Sequence, residues 1–162
     1  MSQLKFGADS MLGSLAKKLR LLGMDTTYQS DAADSELKYL VRSRDLILLT
    51  KDVHLAASLG NRAWLVTGST VREEFRSIAG KLKSAGHKIQ PFSRCLECNE
   101  LLRTIAPRGA EGRVPPYVLN ANERFSECIS CGKVFWEGTH RKRMEQEVGW
   151  MRKVLEEVRD KG

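Results

Sequence analysis

The sequence predicts an α/β fold: a parallel sheet flanked by helices, then a small cysteine-bearing unit and a C-terminal helix. Three observations carry this. Through the first ninety residues, short apolar runs alternate with segments of helical spacing, as in a sheet covered on both faces. Residues 92–138 hold all four cysteines and three of the four prolines, with little helical periodicity. From Thr139 onward, Met144, Val148, Met151, Leu155 and Val158 recur at spacings of four and three. The organisation expected is 1–90, 91–138 and 139–162.

The elements follow in order. Leu4–Ala8 is a strand candidate. Met11–Leu22 carries apolar residues at 11, 12, 15, 16, 19 and 22, a helical spacing, and Gly23 is placed to stop the helix. Thr26–Gln29 is β-prone. Ser35–Arg44 reads as a helix with Leu37, Leu40 and Val41 inward. Leu46–Thr50 is a continuous apolar run, as expected of a central strand buried on both faces. Val53–Leu59 is a short helix before Gly60, and Ala63–Thr67 another strand. Val71–Ser84 sets Val71, Phe75, Ile78, Ala79 and Leu82 on one face, and His87–Gln90 is expected as a last strand. The stripe from Thr139 must pack either on the first unit or on a second subunit, so a homodimer or a protein partner through this helix is one expectation.

Composition narrows the function classes. The chain has 162 residues, 29% charged and 41% hydrophobic, which is ordinary for a folded protein. Its longest apolar runs are four residues, such as Leu46-Ile47-Leu48-Leu49, so no segment can span a bilayer. The opening residues lack the apolar stretch of a signal peptide, and a cytoplasmic location is expected. Lys+Arg number 27 against 20 Asp+Glu, a formal charge of +7. The excess sits mostly in residues 1–90, with 14 basic and 9 acidic groups. It suits a polyanionic partner such as nucleic acid, and equally a moderately basic enzyme.

Cys95-Leu96-Glu97-Cys98 and Cys128-Ile129-Ser130-Cys131 are two Cys-x-x-Cys pairs. One tight turn can present both sulfurs of such a pair to one metal, and Gly132 stands where a knuckle turn needs positive φ. Four thiolates fill a tetrahedral zinc shell and leave no position for water, so one structural zinc is expected at Cys95, Cys98, Cys128 and Cys131. An iron–sulfur cluster or redox dithiols are the alternatives. Phe125, Val134, Phe135 and Trp136 flank the second pair at strand spacing, which suits filling a small ribbon core; stacking on bases is the other reading. With the zinc shell full, His54 and His140 read as structural.

Three aspartates share one topological feature. Asp9, Asp34 and Asp52 each follow a predicted strand and precede a predicted helix. In a parallel sheet these loops lie on one edge, where ligands bind. Asp31 and Glu36 lie near the same edge. Clustered carboxylates repel unless a cation joins them, and Mg²⁺ or Mn²⁺, one or two ions, suits such a site. Lys17, Lys18, Arg20 and Lys51 are candidate contacts to a nucleic-acid backbone. Aspartate is also a favoured helix N-cap, and capping alone explains each residue separately.

These stretches resemble a known family. They are Phe6-Gly7-Ala8-Asp9-Ser10-Met11-Leu12-Gly13, Asp31-Ala32-Ala33-Asp34-Ser35-Glu36-Leu37, Ile47-Leu48-Leu49-Thr50-Lys51-Asp52, Phe92-Ser93-Arg94-Cys95, Arg113-Val114-Pro115-Pro116 and the run from Cys128 to His140. Over roughly residues 4–144 the chain is similar to the C-terminal RNase domain of mutator-seven-type exonucleases, a PIN-like domain with an attached zinc ribbon. The resemblance implies a metal-dependent ribonuclease with acids at Asp9, Asp34 and Asp52, and weaker matches at Asp31 and Glu36. The sequence departs from the PIN pattern after the fourth strand. There Thr67-Gly68-Ser69-Thr70 offers no carboxylate before Glu73 and Glu74, and Ser69 stands where it could hold a metal-bound water. A nuclease acting on single-stranded RNA is the leading expectation. The alternative is a non-catalytic RNA- or ribosome-associated binding module on the same fold.

Overall fold

The computed structural model describes residues 3–159. Strands β1 (Lys5–Ala8), β2 (Thr26–Tyr28), β3 (Leu46–Thr50) and β4 (Ala63–Leu65) form a parallel sheet in the order β2-β1-β3-β4. Phe6 pairs with Thr26 on one side and Ile47 on the other. Helices α1 (Gly13–Leu21), α2 (Asp34–Arg44), α3 (Val53–Leu59) and α4 (Val71–Ser84) follow the strands in turn. Strand alternation sends Phe6, Ala8 and Leu49 toward α1 and α4, while Leu48 faces Leu37, Val41 and Leu55 of α2 and α3. The sheet is covered on both faces, as expected.

Two local differences have physical causes. The expected Met11–Leu22 helix begins later, because the Asp9 carboxylate accepts from the Ser10 amide and starts a separate 3-10 turn, Ser10–Leu12; this leaves Met11 exposed. His87–Gln90 is not a strand. Its backbone bonds go to the end of α1 instead: the Gln90 amide donates to Leu22 O and the Phe92 amide to Leu21 O. The segment therefore runs along the end of α1 rather than joining a sheet edge. Gly23 makes this path fit, since a Cβ there would lie 2.3 Å from the Gln90 carbonyl oxygen.

The second sheet is antiparallel, β5 (Leu102–Ile105), β6 (Phe125–Cys128) and β7 (Val134–Trp136), in that order. The long separation between the cysteine pairs holds two short helices that periodicity did not predict, α5 (Pro107–Ala110) and α6 (Pro116–Ala121), each with proline in its first turn. Ala110, Val114, Val118 and Phe125 form this unit's own small core.

The last helix, α7 (Thr139–Glu157), lies on the first unit. Val148, Met151 and Val154 are buried in the same cluster as Phe6, Phe75 and Ile78. Full burial of such side chains is worth about 1.5–3 kcal/mol each, so the three together rival the net stability of a typical domain, about 5–15 kcal/mol. Glu147 ties the helix down further, bridging Lys18 at 3.2 Å and Arg72 at 2.8 Å. The apolar stripe is thus used inside the chain, and the expectation of a second subunit on it is not needed to explain the pattern. Among the described residues no helix is long and apolar enough to cross a membrane.

Candidate active site and metal centre

Strand order reverses between β1 and β3, and the crevice beyond their carboxyl ends is where open α/β sheets bind ligands. Asp9 leaves β1 there, its amide still donating to Leu49 O at 3.0 Å. Asp52 leaves β3 two residues past its end. Thr50, wholly buried, joins them. Its hydroxyl donates to Asp9 Oδ2 at 2.8 Å and accepts from the Asp52 amide at 3.0 Å. Asp52 Oδ1 accepts from the Leu55 amide at 2.9 Å, the N-cap of α3. Both aspartates therefore do cap, and both keep acceptor capacity for a cation, since each carboxylate has about four lone-pair sites.

Asp34 sits differently. It is the first residue of α2, exposed, and Ala33 occupies the N-cap position, with the Glu36 carboxylate accepting from the Ala33 amide at 3.0 Å. Asp31 accepts from the Ser30 hydroxyl at 3.0 Å, and with Glu36 borders a shallow depression beyond β2. Asp9, Asp34 and Asp52 do not form a tight three-carboxylate group among the described residues. Thr50 ties the Asp9 carboxylate to the backbone of Asp52, and Asp34 is outside that link.

The expected phosphate contacts are all engaged within the chain. Arg20 is buried, its Nε donating to Thr26 O at 2.8 Å and its Nη1 to Leu96 O at 2.7 Å. Burial lowers its pKa. It is a clamp between α1 and the first cysteine turn, a correction to its reading as a surface cation. Lys17 bridges Glu97 at 3.1 Å, and that hydrogen bond holds the Glu97 carboxyl below its ordinary range. Lys18 is paired with Glu147. Lys51 bridges Glu74 at 2.7 Å and donates to Gly68 O at 2.9 Å, holding the loop after β4. In that loop the Ser69 amide donates to the Glu73 carboxylate, which lowers the Glu73 pKa, and the Thr70 amide and hydroxyl close the capping box of α4 with Glu73. Sequence reasoning missed Thr50 and Glu74. The signal for Thr50 was a hydroxyl ending an apolar strand one residue before Lys51-Asp52.

The four cysteines do converge. Their sulfurs lie within 4.8 Å of one another, and Cys95 Sγ is 3.9 Å from Cys131 Sγ. Zinc–sulfur bonds of about 2.3 Å in a tetrahedron would set sulfurs about 3.8 Å apart, so the donor set fits zinc. The two turns have one construction. The Asn99 amide donates to Cys95 O at 2.9 Å, and the Gly132 amide to Cys128 O at 2.8 Å. Both residues have positive φ, 66° and 74°. Gly132 was expected in this conformation; Asn99 is its counterpart in the first turn, and asparagine tolerates it best after glycine. Its side chain also docks the unit, Oδ1 accepting from the Thr26 amide at 2.9 Å and Nδ2 donating to Asp25 at 2.7 Å. Without metal the thiols share protons unevenly. Hydrogen bonding with Cys131 pushes the Cys98 thiol up to about 12, while the Lys133 backbone amide draws Cys131 down to about 7.

A family model described as Mut7-C RNAse domain matches residues 4–148. No match was found among curated proteins or among solved structures.

Proposed function

The chain belongs to the Mut7-C RNAse domain family, and on that premise we propose that it is a metal-dependent ribonuclease hydrolysing single-stranded RNA at the Asp9–Asp52 pair. The observation that carries this is the Thr50 hydroxyl linking the Asp9 carboxylate to the backbone amide of Asp52 at the sheet's switch point. Mg²⁺ takes one or two protein carboxylates and fills its remaining positions with water and substrate phosphate, so a pair suffices to hold it. Bound there, Mg²⁺ or Mn²⁺ would supply water activation and charge neutralisation at the phosphodiester. Thr50 orients Asp9, the α3 amide orients Asp52, and Asp34 with Asp31 and Glu36 borders the approach. The ribbon takes no part in the chemistry; Cys95, Cys98, Cys128 and Cys131 hold a structural zinc. We retain 1–90, 91–138 and 139–162 as the working division, with α7 completing the core of the first.

A non-catalytic RNA-binding module is the second reading. It is favoured by Asp34 standing apart and by Glu74, the first buried acid after β4, being neutralised by Lys51. Zinc-loaded wild type and an Asp9→Asn/Asp52→Asn variant, incubated with labelled RNA and DNA with and without added Mn²⁺ or Mg²⁺, separate the two. Cleavage of RNA by wild type alone, only with added metal, supports the nuclease. Equal RNA binding by both proteins and cleavage by neither supports the module.

A further inference from the structure

We propose that the cleft between the ribbon and the start of α7 is a subsite for one unpaired RNA nucleotide, remote from the carboxylate pair. The proposal rests on RNA being the substrate class. The cleft has a volume of about 480 Å³, within the roughly 300–1,000 Å³ of small-ligand sites. Its floor is the outer face of the ribbon sheet, where Thr104, Ser126 and Phe135 form one cross-strand row. Their neighbours Phe125 and Val134 turn the other way, into the ribbon core. Phe135 is half-buried yet belongs to none of the hydrophobic clusters.

The opposite wall is Phe92, held at φ 61°, an uncommon backbone for an aromatic residue. The Arg141 guanidinium lies 3.8 Å from the centre of its ring, and Arg141 Nε is buried with no hydrogen-bond partner. Glu145 at 3.5 Å and Glu137 at 3.9 Å balance part of its charge. Arg124, exposed at the rim, makes no ion pair or hydrogen bond among the described residues. The Phe135 ring suits a base, the Thr104 and Ser126 hydroxyls suit its edge or the ribose 2′-OH, and the unpaired Arg124 guanidinium suits the phosphate. An apolar protein segment would leave those hydroxyls and the Arg124 guanidinium unpaired. The cleft reaches Leu21 at the far end of α1 from Asp9, a helix rise of about 14 Å.

The test is fluorescence anisotropy of a labelled single-stranded RNA with the full zinc-loaded chain and no added Mg²⁺ or Mn²⁺. Phe135→Leu keeps apolar bulk and removes the ring; binding should weaken about tenfold, as expected for loss of one base stack. Arg124→Ala changes an exposed, unpartnered side chain and should lower the salt slope by about one. In cleavage assays both should raise KM more than they lower kcat. Wild-type affinity and salt slope in both variants, or no RNA binding by wild type, would overturn the proposal. So would a dimer in sedimentation that Phe135→Leu dissociates, which would give the cleft to a second copy. If no variant cleaves RNA but the two cleft variants still bind it more weakly, the nuclease reading fails and the subsite stands.

Discussion

Replacing Arg20 by methionine should unfold this protein early while leaving its electrostatic attraction to RNA alone. The guanidinium donates two well-formed hydrogen bonds, to Thr26 O and Leu96 O, and reaches Glu97 O at 3.3 Å. Hydrogen bonds from a charged donor contribute about 1.5–3 kcal/mol each. Burying the charge offsets part of that, since burial pulls the guanidinium pKa down. Methionine fills the stem but strands two carbonyls, so the net loss should be about 2–4 kcal/mol. For a chain of this size that is a fall in Tm of roughly 5–15 °C. Arg20→Lys should lose nearly as much, because a point charge cannot serve two carbonyls in a fixed fork. Thermal unfolding of the zinc-loaded variants reads the first quantity, and the salt dependence of RNA binding reads the second. A Tm within about 2 °C of wild type, together with a salt slope reduced by about one, would refute the clamp and return Arg20 to the phosphate contacts.

Two further outcomes follow from the same geometry. Thr50→Val keeps the shape of a buried strand end but removes the donor to Asp9 and the acceptor for the Asp52 amide. Stability should fall by about 1–3 kcal/mol, and cleavage should fall more steeply than RNA affinity; equal loss of both would remove Thr50 from the site. Zinc uptake near neutral pH should release at least two protons, because burial raises the Cys95 thiol and Cys98 stands at about 12, so both are protonated before the metal arrives. Zinc affinity should accordingly drop as pH is lowered. Calorimetry in buffers of different ionisation enthalpy measures the count, and fewer than two protons would exclude Cys95 and Cys98 as thiolate ligands.

Much of this protein was readable along the chain because the signals are local. Short apolar runs mark the four parallel strands and period-3.6 spacing marks the helices, and a turn can hold Cys95 with Cys98, or Cys128 with Cys131, only because two residues separate each pair. The carboxyl-edge position of Asp9 and Asp52 likewise follows from strand-then-helix order. What local signals could not carry was decided by three-dimensional competition for partners. Lys17, Lys18, Arg20 and Lys51 look alike as basic residues near an acidic edge. Each finds a carboxylate or carbonyl on a distant segment, and Arg20 bonds across 76 residues to Leu96. His87–Gln90 has strand-like composition, but its amides meet the end of α1 before any sheet edge. The stripe of α7 required an apolar surface, and only packing showed that the chain's own first unit supplies it, chiefly through α4. Sequence determines which groups must be buried or paired; the fold determines with whom, because a hydrogen bond or an apolar contact depends on proximity that chain separation does not encode.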